Sequence, residues 1–181
     1  MPEHGSFPLT GVAKLPNVSV AFNGEHWSDR KASGSIVPGE AIVPVASAGK
    51  SLWRVAEAGD SITQLCIALR TVDVPDPNTG PAELGPNEIR NRTIEDGEYV
   101  HRYRSGVFHL TLVDPRRTYE EGTLIGWDAD GERPEGKAEG VGSWAPNANA
   151  DIDSVFEVQE VRKVGADGDV ILTVASLRGQ F

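Results

Sequence analysis

A chain of 181 residues can hold one domain with a substantial core but not two full domains. Its 20 glycines, 12 prolines and 39% apolar residues indicate many turns without the composition of a disordered chain. A formal net charge of −10, from 27 acidic and 17 basic residues, excludes a broad phosphate-binding face, so nucleic acid is not an expected partner.

The opening run Met1-Pro2-Glu3-His4-Gly5-Ser6-Phe7 lacks the basic and apolar stretches of an export signal, and no apolar run reaches the length of a membrane span. A soluble protein made in the cytoplasm, with no membrane partner, is expected. Residues 1–33 scatter the apolar anchors Phe7, Leu9, Val12, Leu15, Val18, Val20, Phe22 and Trp27 among Pro, Gly and Asn without a helical period, which reads as an extended N-terminal arm. Within it only Val18, Val20 and Phe22 alternate as a short strand does.

Residues 34–181 form the expected domain. Ile36 to Glu40, Ala41 to Val45, Leu52 to Ala56 and Leu65 to Val74 are strand candidates, separated by Ala48-Gly49-Lys50 and Ala58-Gly59-Asp60. Segment 73–95, with Pro75, Pro77, Pro81, Pro86, Gly80 and Gly85, cannot be a central strand or a helix interior and reads as a long surface loop. After Asp96-Gly97 the strands resume at Tyr99 to Tyr103, Val107 to Val113, Leu124 to Trp127, Val155 to Val164 and Val170 to Ala175. The runs Asp128 to Gly131 and Ala166 to Asp169 carry hairpin-type turn chemistry, because Asp-Gly readily adopts positive backbone angles. Between them, Glu132 to Asn149 is Gly-rich and polar and reads as a flexible loop. The fold class is therefore all-β, a small β-barrel or β-sandwich with an arm and a Pro-rich insertion.

Chemical motifs are few. Gly49-Lys50-Ser51 resembles the end of a phosphate-binding loop, but Pro44 stands where that loop needs a glycine, and a turn is the reading adopted. Asp128, Asp130 and Glu139 have part of a calcium-loop spacing, as do Asn149, Asp151, Asp153 and Glu160; Arg133 and Ser154 occupy the glycine positions, so no metal site is assigned. His101 and His109, with Asp114 beyond, have no Gly-x-Ser-x-Gly elbow to nominate a nucleophile, and they read as histidines on a half-exposed sheet face. No catalytic residue and no cofactor is assigned. Asn91-Arg92-Thr93 fits the glycosylation pattern in an accessible loop and is expected to be unused without export. Cys66 lies in an apolar run and reads as a buried thiol. Trp53 and Trp127 are expected in the core, whereas Trp27 and Trp144 sit in irregular polar segments and are candidate contact residues.

The order of segments from Gly34 onward resembles capsid decoration, or cement, proteins of tailed bacterial and archaeal viruses with HK97-type shells. The residues that carry it are Ile36-Val37-Pro38-Gly39-Glu40-Ala41-Ile42-Val43, Gly97-Glu98-Tyr99-Val100, Glu121-Gly122-Thr123-Leu124 with the Asp130-Gly131 turn, and the closing Phe156-Glu157-Val158 and Val170-Ile171-Leu172-Thr173-Val174. The resemblance implies a homotrimer on the outer surface of the virion that stabilises the head by bridging coat capsomers, with the major capsid protein as partner. On this reading Phe7, Leu9, Val12 and Phe22 of the arm are anchors on the coat, and Trp27 and Trp144 are further contacts. The long arm and the 73–95 insertion depart from compact family members. Alternatives are a turret, tail or baseplate component, or a small oligomeric β-barrel enzyme.

Overall fold

The computed structural model describes residues 15–22, 26–60, 65–69, 91–103, 105–137, 139–146, 155–164 and 169–177. Among the described residues there are eleven strands: β1 (Val18–Phe22), β2 (His26–Lys31), β3 (Ala41–Ser47), β4 (Lys50–Val55), β5 (Cys66–Leu69), β6 (Tyr99–Tyr103), β7 (Val107–Leu110), β8 (Leu124–Asp128), β9 (Ser143–Pro146), β10 (Phe156–Val164) and β11 (Asp169–Ser176). They form a six-stranded sheet in the order β1-β7-β11-β10-β8-β9 and a five-stranded sheet in the order β2-β6-β5-β3-β4. The ladders are antiparallel throughout. In the second sheet a bridge from Ala32 to Trp53 brings the end of β2 against β4 and nearly closes it into a barrel. The all-β barrel or sandwich expected from the sequence is the architecture observed.

Period-two alternation explains why the chain makes two cores. On β3, Ala41 and Val43 face the first core and Ile42 the second; on β5, Ile67 and Leu69 face the first while Cys66 and Ala68 face the second. The first core lies between the sheets, where Phe108, Leu110, Leu172, Val174, Ile125, Phe156 and Trp144 are buried. Its aromatic rings touch in sequence: Trp127 on Trp144 at 5.3 Å, Trp144 on Phe156 at 5.2 Å, Phe156 on Phe108 at 5.9 Å and Phe108 on Tyr103 at 5.0 Å. The first three contacts are edge-to-face and the last is tilted; edge-to-face pairs add about 0.5–1.5 kcal/mol each beyond the area they bury. The second core fills the barrel with Ile36, Ile42, Trp53, Ala68, Ile94 and Val100 around the buried Cys66.

Turn chemistry fixes the registers. Ala48 and Gly49, with φ of 49° and 75°, make the two-residue turn between β3 and β4, and Ser47 pairs directly with Lys50. Both positive angles are those of a type I′ hairpin, so Gly49-Lys50-Ser51 is a turn and the start of a strand. Val164 pairs with Asp169, which makes β10 and β11 the expected hairpin, although the turn residues themselves lie outside the described set.

Four expectations about segments change. The segment 1–33 is not an arm throughout: β1 pairs with β7 at the edge of the larger sheet and β2 pairs with β6 in the barrel, while residues 1–14 lie outside the described set. Ile36 to Glu40 is not a strand; it forms a single bridge, Ile36 to Ile94, and turns inward. That bridge buries Ile94 at 1% exposure, so the C-terminal end of the 73–95 loop belongs to the barrel, and residues 73–90 lie outside the described set. The polar stretch after Gly131 contains β9, which pairs with β8 from Asp128–Ser143 to Ile125–Pro146.

Candidate functional site

The densest long-range polar network in the described residues surrounds the segment Leu15–Asn17, where the chain enters β1. Asn91 Nδ2 and Lys137 Nζ both donate to the Leu15 carbonyl at 2.7 Å. Thr111 Oγ1 donates to the Pro16 carbonyl at 2.8 Å, and the Thr111 amide to the Asn17 carbonyl at 3.1 Å. The Asn17 amide donates to Asn91 Oδ1 at 2.8 Å, and Asn17 Nδ2 to the Pro38 carbonyl at 2.8 Å. Three residues whose peptide groups precede the β1 ladder are thereby pinned from four separate parts of the chain. Gly39 makes the approach possible: with φ of 96°, its missing Cβ would stand 2.7 Å from Asn17 Cβ, and its carbonyl accepts from Trp144 Nε1 at 2.8 Å.

The loop 129–142 between β8 and β9 supplies Lys137 and is braced from within by Arg133. Nε of Arg133 donates to the Gly142 carbonyl at 3.0 Å, Nη1 to that of Glu139 at 3.3 Å and Nη2 to that of Val141 at 2.8 Å. Nη2 also donates to the Glu40 carboxylate, and both side chains of this pair are buried, at 5% and 7% exposure. Burial pushes the Glu40 carboxyl above its usual range, against the opposing pull of the Val37 amide and Arg133. The Lys137 ammonium is also largely buried, and this lowers its pKa to about 7 despite the charge of Asp169.

The other sequence candidates do not converge. His101 is on β6 of the barrel, whereas His109 is on β7 of the larger sheet, facing away from the core, with Nδ1 3.1 Å from Thr173 Oγ1. The Asp114 side chain is fully buried, and Arg116 donates to both of its oxygens, from Nε at 3.1 Å and Nη2 at 2.9 Å. Burial favours the acid form of Asp114, but the Arg116 contacts prevail and hold it below the usual carboxylate range. His101, His109 and Asp114 are therefore not one constellation. Asp128 turns its Oδ1 to the Asp130 amide at 3.0 Å, and Glu132 pairs with Arg116 at 3.3 Å. No group of three metal-ligating side chains is assembled among the described residues. Among those residues no helix is long and apolar enough to cross a membrane.

Trp144 is not a contact residue on the surface of this chain. It is on β9, fully buried between Trp127 and Phe156, because its indole reaches Gly39 and its ring completes the first core. Trp53 is core, at 2% exposure, and Trp127 is partly buried with Nε1 donating to the Ala56 carbonyl at 3.2 Å. Phe22 ends β1, the strand expected there, and Trp27 falls on β2 rather than in irregular chain; the side chains of both lie outside the described set, as do Phe7, Leu9 and Val12 entirely. The Asn91 side chain is engaged in the fold, with Nδ2 donating to the Leu15 carbonyl and Oδ1 accepting from the Asn17 amide.

Sequence reading missed Asn17, Asn91, Arg133 and Lys137. One signal was available: Glu40 interrupts an apolar run, and an acid in such a run demands a buried cation. Compared with protein-family models, with curated proteins and with solved structures, the chain matches none.

Proposed function

We propose that this protein is a structural virion component, a decoration protein that binds the outer surface of an HK97-type capsid as a trimer and stabilises the shell by bridging coat capsomers. The observation that carries the reading is the pinned segment Leu15–Asn17. A cross-linking arm transmits tension to its domain, so its root needs several bonds loaded in parallel, and here six hydrogen bonds from Asn91, Lys137, Thr111 and Asn17 itself fix three residues. Residues 1–14, which carry Phe7, Leu9 and Val12, run directly into that root. Three such arms on one trimer would bind cooperatively through effective concentration, each adding a modest contact. The net charge of −10 suits an abundant protein on an outer surface, since it discourages self-association, and it disfavours a place beside packaged DNA.

The test is the copy number of this chain relative to the coat protein in purified particles, by quantitative mass spectrometry. A ratio near one supports shell-wide decoration. A few copies per hundred coat chains would move the protein to a turret, tail or baseplate, and complete absence would overturn the virion reading.

A further inference from the structure

The loop 129–142 places an apolar side chain on a braced support. Arg133 lies beneath it, with its guanidinium spent on the carbonyls of Glu139, Val141 and Gly142 and on buried Glu40. A buried arginine is costly to desolvate, and what this one holds is the arc from Glu139 to Gly142. Gly140 and Gly142 flank Val141 with φ of 121° and 103°; a Cβ at Gly142 would stand 2.6 Å from the Trp127 ring, so the arc is seated on the core at one end. At its crest the Val141 side chain points outward, 65% exposed. A lone exposed valine on a floppy loop would mean nothing. This one is held by contacts made before any partner arrives, so little ordering entropy remains to be lost on binding.

Two further observations define the partner. Lys137 of the same loop donates to the Leu15 carbonyl at 2.7 Å, so the loop is joined to the segment from which residues 1–14 depart. The exposed charged residues of the loop are acidic: Asp130, Glu135, Glu139 and Glu132, the last already paired with Arg116.

We propose that the arc Glu139–Val141 is a docking knob, seating Val141 in an apolar dimple rimmed by Lys or Arg on the coat protein, alongside the contact made by residues 1–14. This rests on the decoration reading and names the surface that serves it. The arm supplies reach, and the knob supplies a rigid register against the shell.

The experiment is rebinding of the full-length protein to particles lacking it, measured by co-sedimentation, with wild type, Val141→Asp, Val141→Ser and Glu139→Lys compared. Both Val141 variants are expected to bind at least tenfold more weakly with an unchanged thermal midpoint, and Glu139→Lys several-fold more weakly at low salt, a difference that shrinks at 0.5 M salt, about 4 Å Debye length. Wild-type-like binding by Val141→Asp and Val141→Ser would overturn the knob and leave the decoration reading standing. Failure of wild type itself to bind would overturn the decoration reading, and the knob with it.

Discussion

At the scale of single residues, the most consequential contact joins Glu40, at the entrance to the barrel, to Arg133, 93 positions later. Each is buried, so removing one leaves a charge or a set of carbonyls stranded rather than merely losing a bond. Arg133→Met is expected to destabilise the fold by about 3–5 kcal/mol, read from the urea midpoint. Glu40→Gln together with Arg133→Met should cost clearly less than the two single changes summed, because the second substitution removes the group the first one stranded. This pair also marks a limit of sequence reading. The apolar neighbours of Glu40 announced that a partner was needed, but Arg133 lies in a Gly-rich polar stretch with the composition of a loose loop, and only the fold brings the two together. Trp144 misled for the same reason: its polar neighbours suggested a surface, whereas β9 is buried from Ser143 to Ala145 and delivers the Trp144 ring to the first core.

At the scale of elements, strands with clean alternation were legible. β1, β3, β6, β8, β10 and β11 fall within a residue or two of where Val, Ile, Phe and Tyr recur at period two. β2 and β9 were not, because His26–Lys31 is polar and charged and Ser143–Pro146 is short and ends in proline; neighbouring backbones recruit both. The loop 129–142 belongs to this scale as well, because Lys137 ties it to the root of β1 and carries a pKa lowered to about 7 by burial. The unfolded chain retains an ordinary lysine near 10.4, so it binds more protons than the native state between the two values. The cost of charging Lys137 is therefore fully present below about pH 7 and is relieved as pH rises toward 10. Chemical unfolding from pH 7 to 10 should show wild type gaining roughly 1 kcal/mol per pH unit relative to Lys137→Met, with the two curves parallel below pH 7.

At the scale of the whole molecule, two sheets share one core, and one of them encloses a second core of its own. Among the described residues, the N-terminal segment is held from Leu15 onward by Asn91 and Lys137. Deletion of residues 2–14, which carry the anchors of the proposed shell contact, is expected to abolish particle binding, read by co-sedimentation. Analytical ultracentrifugation of both proteins is expected to give trimers; a monomeric wild type would count against the avidity argument.

The pairing of β1 with β7 and of β2 with β6 has a consequence for how the chain is made. Val18 faces Leu110 and Lys31 faces Tyr99, so β1 and β2 are made tens of residues before their partners. Pairings of such sequence separation close slowly, and until β6 and β7 are made both strands offer unpaired edges. The nascent chain is therefore most open to misassembly while the segments between Lys31 and Tyr99 are being synthesised.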